Sequence, residues 1–255
     1  MEMTRNRLKQ ALLERRLQIG LWSTLCSNIG AEIIADSGFD WILLDTEHSP
    51  NELPGLLSQL QAIGRAETTP VIRAAWNDTV LIKRILDIGA QSVLIPYVQN
   101  AAEAQRAVAA VRYPPRGVRG VSAGSRASRY GRVSDYLEKA DDEICVLVQV
   151  ETRAALDQLE AIARVDGIDG VFIGPADLAA SLGHLGGAQA TEVQDAIRDA
   201  AGRLTAVGKA SGILTVGEAE ARRYIDWGYS FVAVGVDTNL LAKSAETLAR
   251  SFKSR

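Results

Sequence analysis

The sequence predicts an α/β fold, a (β/α)8 TIM barrel, on three observations. Eight short β-branched apolar runs recur along 255 residues, each followed by a longer segment with helical periodicity. The runs are continuously apolar rather than alternating, as parallel strands covered by helices require. Eight such units in about 250 residues match one closed barrel. A single domain over residues 1–255 is therefore expected, with an N-terminal helix and a long loop at about 113–140. A doubly wound open sheet is the architectural alternative. Against it, no Gly-x-Gly-x-x-Gly or P-loop glycine pattern opens any helix.

The predicted strands are 19–25, 41–44, 71–74, 93–95, 144–150, 170–173, 211–214 and 231–234. Between them, Ser49, Pro50 and Glu52 read as a helix cap, a first-turn proline and a capping-box acid, and Asn100 with Glu103 repeats the capping pattern. Gly89, Gly208 and Gly228 stand where helices should stop. The segment 113–140 is too long for a turn and reads as a lid or substrate loop. The six arginines from Arg112 to Arg132 suit either a distal acidic group of a substrate or a subunit interface, the latter preferred.

An apolar content of 47%, a charged content of 23% and 22 glycines exclude disorder, collagen-like repeats and a disulfide scaffold. A net charge of -3 argues against a nucleic-acid partner. No run approaches the ~18–20 apolar residues of a membrane span, and the N-terminal segment has no signal-peptide core. No membrane association and a cytoplasmic protein are expected. Cys26 and Cys145, in strand-like segments without metal-ligand spacing, read as reduced core residues.

In such a barrel the working residues project from the C-terminal strand ends. Strand two ends in Asp45, Thr46, Glu47 and His48; strand three in Arg73; strand five in Gln149 and Glu151; strand six in Gly174, Pro175, Ala176 and Asp177; strand eight in Gly235, Val236 and Asp237. Glu151 and Asp177 thus stand side by side over one opening. Two bare anions there repel, and a divalent cation with all-oxygen ligation, Mg²⁺ or Mn²⁺, resolves the conflict. Salt-bridged or helix-capping acids are the competing reading, because Thr152 and Asp177 both precede helical segments. Arg73 can hold a carboxylate or a developing oxyanion, or can form a rim salt bridge to Asp45 or Glu47. His48, beside two acids, suits a general acid/base role. His184 reads as a loop residue.

Absences narrow the chemistry. No serine occupies a Gly-x-Ser-x-Gly elbow, and none of the six lysines falls at the inner or C-terminal part of a strand, so a Schiff-base nucleophile is missing. Asp237 after strand eight would repel a phosphate, pointing to a non-phosphorylated substrate.

The segments LLDTEHSPN, PVIRAAWND, RYPPRGVRGVS, VLVQVET, GVFIGPADLA, SGIL and FVAVGVDT together resemble the metal-dependent class II pyruvate aldolases of the HpcH/HpaI family, from about Ile19 to the C-terminus. The resemblance implies a carbon-carbon lyase that cleaves 4-hydroxy-2-oxo acids, such as 4-hydroxy-2-oxoheptanedioate, to pyruvate and an aldehyde. It implies Glu151 and Asp177 as ligands of Mg²⁺, Mn²⁺ or Co²⁺, with Gln149, Ala176 and Asp177, in the turn of Gly174 and Pro175, against the 2-oxo acid. By the same resemblance His48 is the proton acceptor, Arg73 the oxyanion stabiliser, Asp87 the group that raises the basicity of the histidine, and Leu214 a pocket wall. A homo-oligomer, a hexamer, is implied as well. Thr46 departs from the glycine common in similar proteins, so a slightly different backbone path into His48 is expected.

Two further readings stay open: a malyl-thioester lyase-like or phosphoenolpyruvate mutase-like enzyme on the same platform, and a non-catalytic barrel that binds acidic metabolites. Asp87 raises a geometric problem of its own. A helix starting near Thr79 carries it about 12 Å below the mouth, at ~1.5 Å per residue. It is then either a solvated partner of Lys83 or a neighbour of His48 in another subunit.

Overall fold

Eight parallel strands close on themselves in chain order: β1 (Gln18–Ser23), β2 (Trp41–Asp45), β3 (Thr69–Arg73), β4 (Ser92–Ile95), β5 (Cys145–Val150), β6 (Gly170–Ile173), β7 (Ala210–Leu214) and β8 (Phe231–Val236), the last pairing with the first. The helices are α1 (Arg7–Leu13), α2 (Asn28–Ala35), α3 (Leu53–Ile63), α4 (Thr79–Asp87), α5 (Ala101–Val111), α6 (Tyr136–Glu143), α7 (Arg153–Asp157), α8 (Leu159–Ala163), α9 (Pro175–Ser181), α10 (Thr191–Ala206), α11 (Glu218–Asp226) and α12 (Asp237–Lys253). This is the predicted (β/α)8 barrel. It is a computed structural model, and it describes residues 1–64 and 66–253. No described helix is long and apolar enough to cross a membrane.

Two apolar layers hold the barrel. Inside it, Trp22, Trp41, Leu43, Val71, Leu94, Leu147, Phe172 and Phe231 form one cluster, and the large rings are accommodated because small residues face them. A Cβ on Gly20 would enter the Trp41 ring, and one on Gly212 would enter the Phe231 ring. Truncating such a ring to alanine costs about 3–5 kcal/mol. Outside it, the alternate strand residues Ile42, Leu44, Ile72, Val93, Val146 and Val171 meet the helices in the second layer. Leu8 and Leu12 of α1 join the inner cluster, so this helix plugs the N-terminal end. Asn6 fixes the plug by donating its amide to Gln91 O and Ser92 Oγ, both at 2.9 Å.

Asn100 caps α5 by accepting the Glu103 N–H at 3.0 Å, and Gly89, Gly208 and Gly228 follow helices with φ of 98°, 72° and 102°. Elsewhere the chain departs from expectation for local reasons. The helix after β2 starts at Leu53 with Glu52 as its cap residue and Pro54 in its first turn, not at Pro50. The Ser49 hydroxyl that was to cap it donates instead to Asp45 O at 2.5 Å. Strand β1 ends at Ser23, so Cys26 lies on the rim with φ of 54° and is half-buried rather than in the core; Cys145 is buried as expected.

The segment 113–140 is not one loop. It contains a 3-10 turn at Arg126–Ser128 and the first half of α6, and it connects α5 to β5, which puts it at the N-terminal end of the barrel. Arg126 donates to Ile88 O at 2.6 Å and Arg119 to Asp87 at 3.2 Å, so the segment is clamped to the far end of α4. It cannot act as a lid on the mouth of its own barrel.

Candidate active site at the barrel mouth

The turn after β2 is built around Asp45, which is buried to 1% exposure. One carboxylate oxygen accepts the Glu47 N–H at 2.9 Å and Arg73 Nε at 2.8 Å, while the other accepts Arg73 Nη2 at 2.5 Å and Trp22 Nε1 at 3.3 Å. Burial alone would raise this carboxyl; the bonds and charge of Arg73 outweigh it and hold the group below its ordinary value. The Arg73 guanidinium lies 4.7 Å from the Trp22 ring centroid and brings Nη1 to 2.7 Å from Glu47 Oε2. That last approach is a charge contact without hydrogen-bond geometry, since Glu47 Oε2 is buried and otherwise unpartnered. The rim salt bridge weighed for Arg73 therefore exists to both acids, and its unused N–H groups still stand at the mouth.

The second half of the site comes from β5 and β6. Glu151, 2% exposed, accepts the Tyr97 N–H at 2.9 Å on Oε1 and the Gln149 side-chain amide on Oε2, leaving Gln149 Oε1 buried without a partner. Its carboxyl is pushed up to about 7 by burial and by the charges of Asp177 and Glu47, with the Gln149 bond opposing. Glu47 is raised as well, first by burial, with Asp45 and Asp177 adding to it and Arg73 opposing. Three carboxylates thus act on one another across the mouth. Asp177 stands in the first turn of α9, solvent-exposed, with Gly174 as the cap residue and Pro175 and Ala176 leading into it. A Cβ on Gly174 would drive into the Glu151 carboxylate and come within 2.9 Å of Gln149 Nε2. The glycine is therefore the floor of an acid cradle.

A divalent cation fits this donor set. The oxygens of Glu151 and Asp177 are hard anionic ligands, and the orphaned Gln149 and Glu47 oxygens offer nearby acceptors for coordinated water. Among the described residues no group of three or more His, Cys, Asp or Glu side chains has metal-holding geometry. An ion here would draw two ligands from the protein and the rest from water and substrate.

The other expected residues divide. His48 is at the mouth, 64% exposed at its side chain and 3.9 Å from Glu47 Oε1. Leu214 ends β7 half-buried against the inner cluster. Thr46 turns its hydroxyl to Arg73 O at 2.6 Å, tying the His48 turn to β3. Asp87, the last residue of α4, is at the opposite end of the barrel, bonded to Arg119 rather than to Lys83. Asp237 does not repel ligands from the mouth: it is buried and accepts from Ser23 Oγ at 2.7 Å and the Thr24 N–H at 2.9 Å, stitching β8 to β1. His184 pairs with Glu192 at 3.0 Å. Trp22 and the Tyr97 N–H are site components the sequence reading missed; the signal for Trp22 was a large ring near the C-terminal end of β1. Recesses at the opposite end of the barrel, one lined by Arg7, Arg16, Asp36, Asp40 and Glu67, hold none of these residues.

The family model for HpcH/HpaI aldolase/citrate lyase matches residues 18–244. The chain belongs to this HpcH/HpaI family. It is 57% identical over 248 residues to a 4-hydroxy-2-oxo-heptane-1,7-dioate aldolase of Klebsiella pneumoniae, covering 97% of this chain and 94% of that protein. It is 58% identical over 252 residues to a pyruvate aldolase of Rhizobium etli, covering 99% of each. An HpcH/HpaI family protein from Burkholderia cenocepacia superposes with a TM-score of 0.94 at 37% identity, covering 97% of this chain and 99% of that one. As an HpcH/HpaI aldolase the protein is a carbon-carbon lyase.

Proposed function

We propose that this HpcH/HpaI aldolase cleaves 4-hydroxy-2-oxo acids to pyruvate and an aldehyde, using a divalent cation, Mg²⁺, Mn²⁺ or Co²⁺, held by Glu151 and Asp177. The convergence of those acids beside Arg73 and His48 carries the reading, supported by relatives named for aldol chemistry. When bound, the cation would polarise the 2-oxo group and acidify the adjacent carbon.

The chain's own residues supply the rest. Gln149, Gly174, Pro175 and Ala176 form the floor against which the carboxylate and keto oxygens of the substrate lie, with Leu214 as a wall. His48 takes the proton of the 4-hydroxyl, whose electron pair forms the aldehyde C=O; the C3–C4 bond breaks and its pair forms a C2=C3 bond, pushing the C2 carbonyl pair onto oxygen as an enolate while the aldehyde departs. Arg73, already locked on Asp45 and Glu47, faces that oxygen with its remaining N–H groups, and a preorganised donor of this kind contributes about 2.7–4 kcal/mol. Return of the proton to C3 completes pyruvate.

Asp87 enters from another subunit. The length of α4 supports this, as does the exposure of Leu240, Leu241, Leu248 and Phe252 on α12, an apolar face that a homo-oligomer such as a hexamer would cover.

Pyruvate release across a panel of 4-hydroxy-2-oxo acids tests the function. Chelator should abolish it and Mn²⁺ or Mg²⁺ restore it, while borohydride with pyruvate leaves the protein mass unchanged. A lysine adduct in the mass spectrum would end the metal-dependent reading.

A further inference from the structure

Trp76 and Tyr97 stand on neighbouring rim loops, after β3 and β4, with ring centroids 5.7 Å apart and planes inclined by 27°. They are 53% and 43% exposed, so the stack presents a broad apolar flank to solvent. Neither ring is on a loose loop. Asn77 donates to Glu103 O at 3.0 Å, the Val98 N–H to Gln149 O at 3.0 Å, and the Thr152 hydroxyl to Gln99 at 2.6 Å. Tyr97 has φ of 54°, a left-handed conformation that is uncommon for residues other than glycine and that clusters at ligand sites. In that conformation its N–H reaches Glu151 Oε1 at 2.9 Å while its ring lies on Trp76. One residue thus joins the acid proposed to hold the cation and an aromatic surface directly beside it.

We propose that the Trp76–Tyr97 stack is an aldehyde-side subsite, which favours substrates whose aldehyde half carries a flat aromatic ring. This rests on the reading that Glu151 and Asp177 fix the pyruvate half. A planar ring departing from, or approaching, that half meets a third ring's place at the end of a preformed stack, a surface that rigid loops hold ready without ordering cost. In the synthetic direction C3 of pyruvate forms a bond to the aldehyde carbon, and the proton lost from C3 ends on the new hydroxyl.

The test compares benzaldehyde with acetaldehyde, which is too small to span to the stack, as co-substrates of pyruvate for the full-length protein with Mn²⁺. Trp76→Ala should lower the benzaldehyde-to-acetaldehyde ratio of kcat/KM about tenfold, chiefly through the KM for benzaldehyde, and Trp76→Phe should restore most of it. Equal loss for both aldehydes, an unchanged ratio, or an altered oligomer mass without a change in preference would overturn the subsite. Absence of Mn²⁺-dependent exchange of the pyruvate methyl protons in the wild type would instead overturn the underlying site, and the subsite with it.

Discussion

Asp45 and Arg73, register partners at the ends of β2 and β3, grip each other through two parallel hydrogen bonds of 2.8 and 2.5 Å with almost no exposure to solvent. The pair fixes the plane of the guanidinium before any substrate arrives, and lysine cannot reproduce that fork. Arg73→Lys should lower turnover by about 10²–10³ with cation binding intact. Unchanged turnover would reduce Arg73 to a rim salt bridge. Asp45→Ala strips the buried arginine of both hydrogen bonds and leaves it only the Glu47 charge contact, a loss of up to about 3–5 kcal/mol that a urea unfolding midpoint would register.

Gly174 and Glu151 give a steric prediction. Because a Cβ at 174 presses on the Glu151 carboxylate, Gly174→Ala should weaken Mn²⁺ binding although it removes no ligand. Glu151→Ala should abolish the binding while circular dichroism still reports a folded barrel. Titration curves matching the wild type in both variants would mean the cation site is elsewhere.

Glu160 and Arg203 tie α8 to α10 and give the acid limb of stability a readable component. Hydrogen bonds from Arg203 at 2.6 Å hold the Glu160 carboxyl down at about 2, from an ordinary 4.5. A depressed carboxyl contributes stability that is present above pH 4.5 and is lost as pH falls toward about 2. The pair is partly exposed, so screening makes the effect modest. Glu160→Gln should flatten the slope of unfolding free energy in that window; an identical slope would contradict the linkage.

Asp87 and His48 lie at opposite ends of one chain's barrel, which makes the shared-site proposal testable by mixing. An Asp87→Asn chain and a His48→Ala chain, each impaired alone, should recover activity on subunit exchange, with about a quarter of sites intact in a random one-to-one mixture. No recovery in confirmed mixed oligomers would refute it.

What the sequence made legible follows from locality. All eight strands could be found because each is a continuous apolar run, and the strand-end rule led to Glu151, Asp177, Arg73 and His48 without coordinates. What it hid depends on register and closure. Nothing local says that Asp45 accepts Arg73 across 28 positions, or that ring closure turns Asp237 onto Ser23 and away from a ligand. The turn SPNELP holds two prolines that could each open a helix, and the choice falls to Pro54 because the Ser49 hydroxyl is already engaged. The segment 113–140 looked like a lid because its length is visible, whereas the end of the barrel it occupies is set by topology.

Exchange of the pyruvate methyl protons in deuterated water, followed by NMR, tests activation of pyruvate by a cation at Glu151 and Asp177 without reference to any aldehyde. The chelated protein should show no exchange above the background, Mn²⁺ or Mg²⁺ should restore it in the wild type, and Glu151→Ala should stay silent with either ion. Exchange that persists in chelator, or that Glu151→Ala supports at the wild-type rate, would contradict a cation site at Glu151 and Asp177.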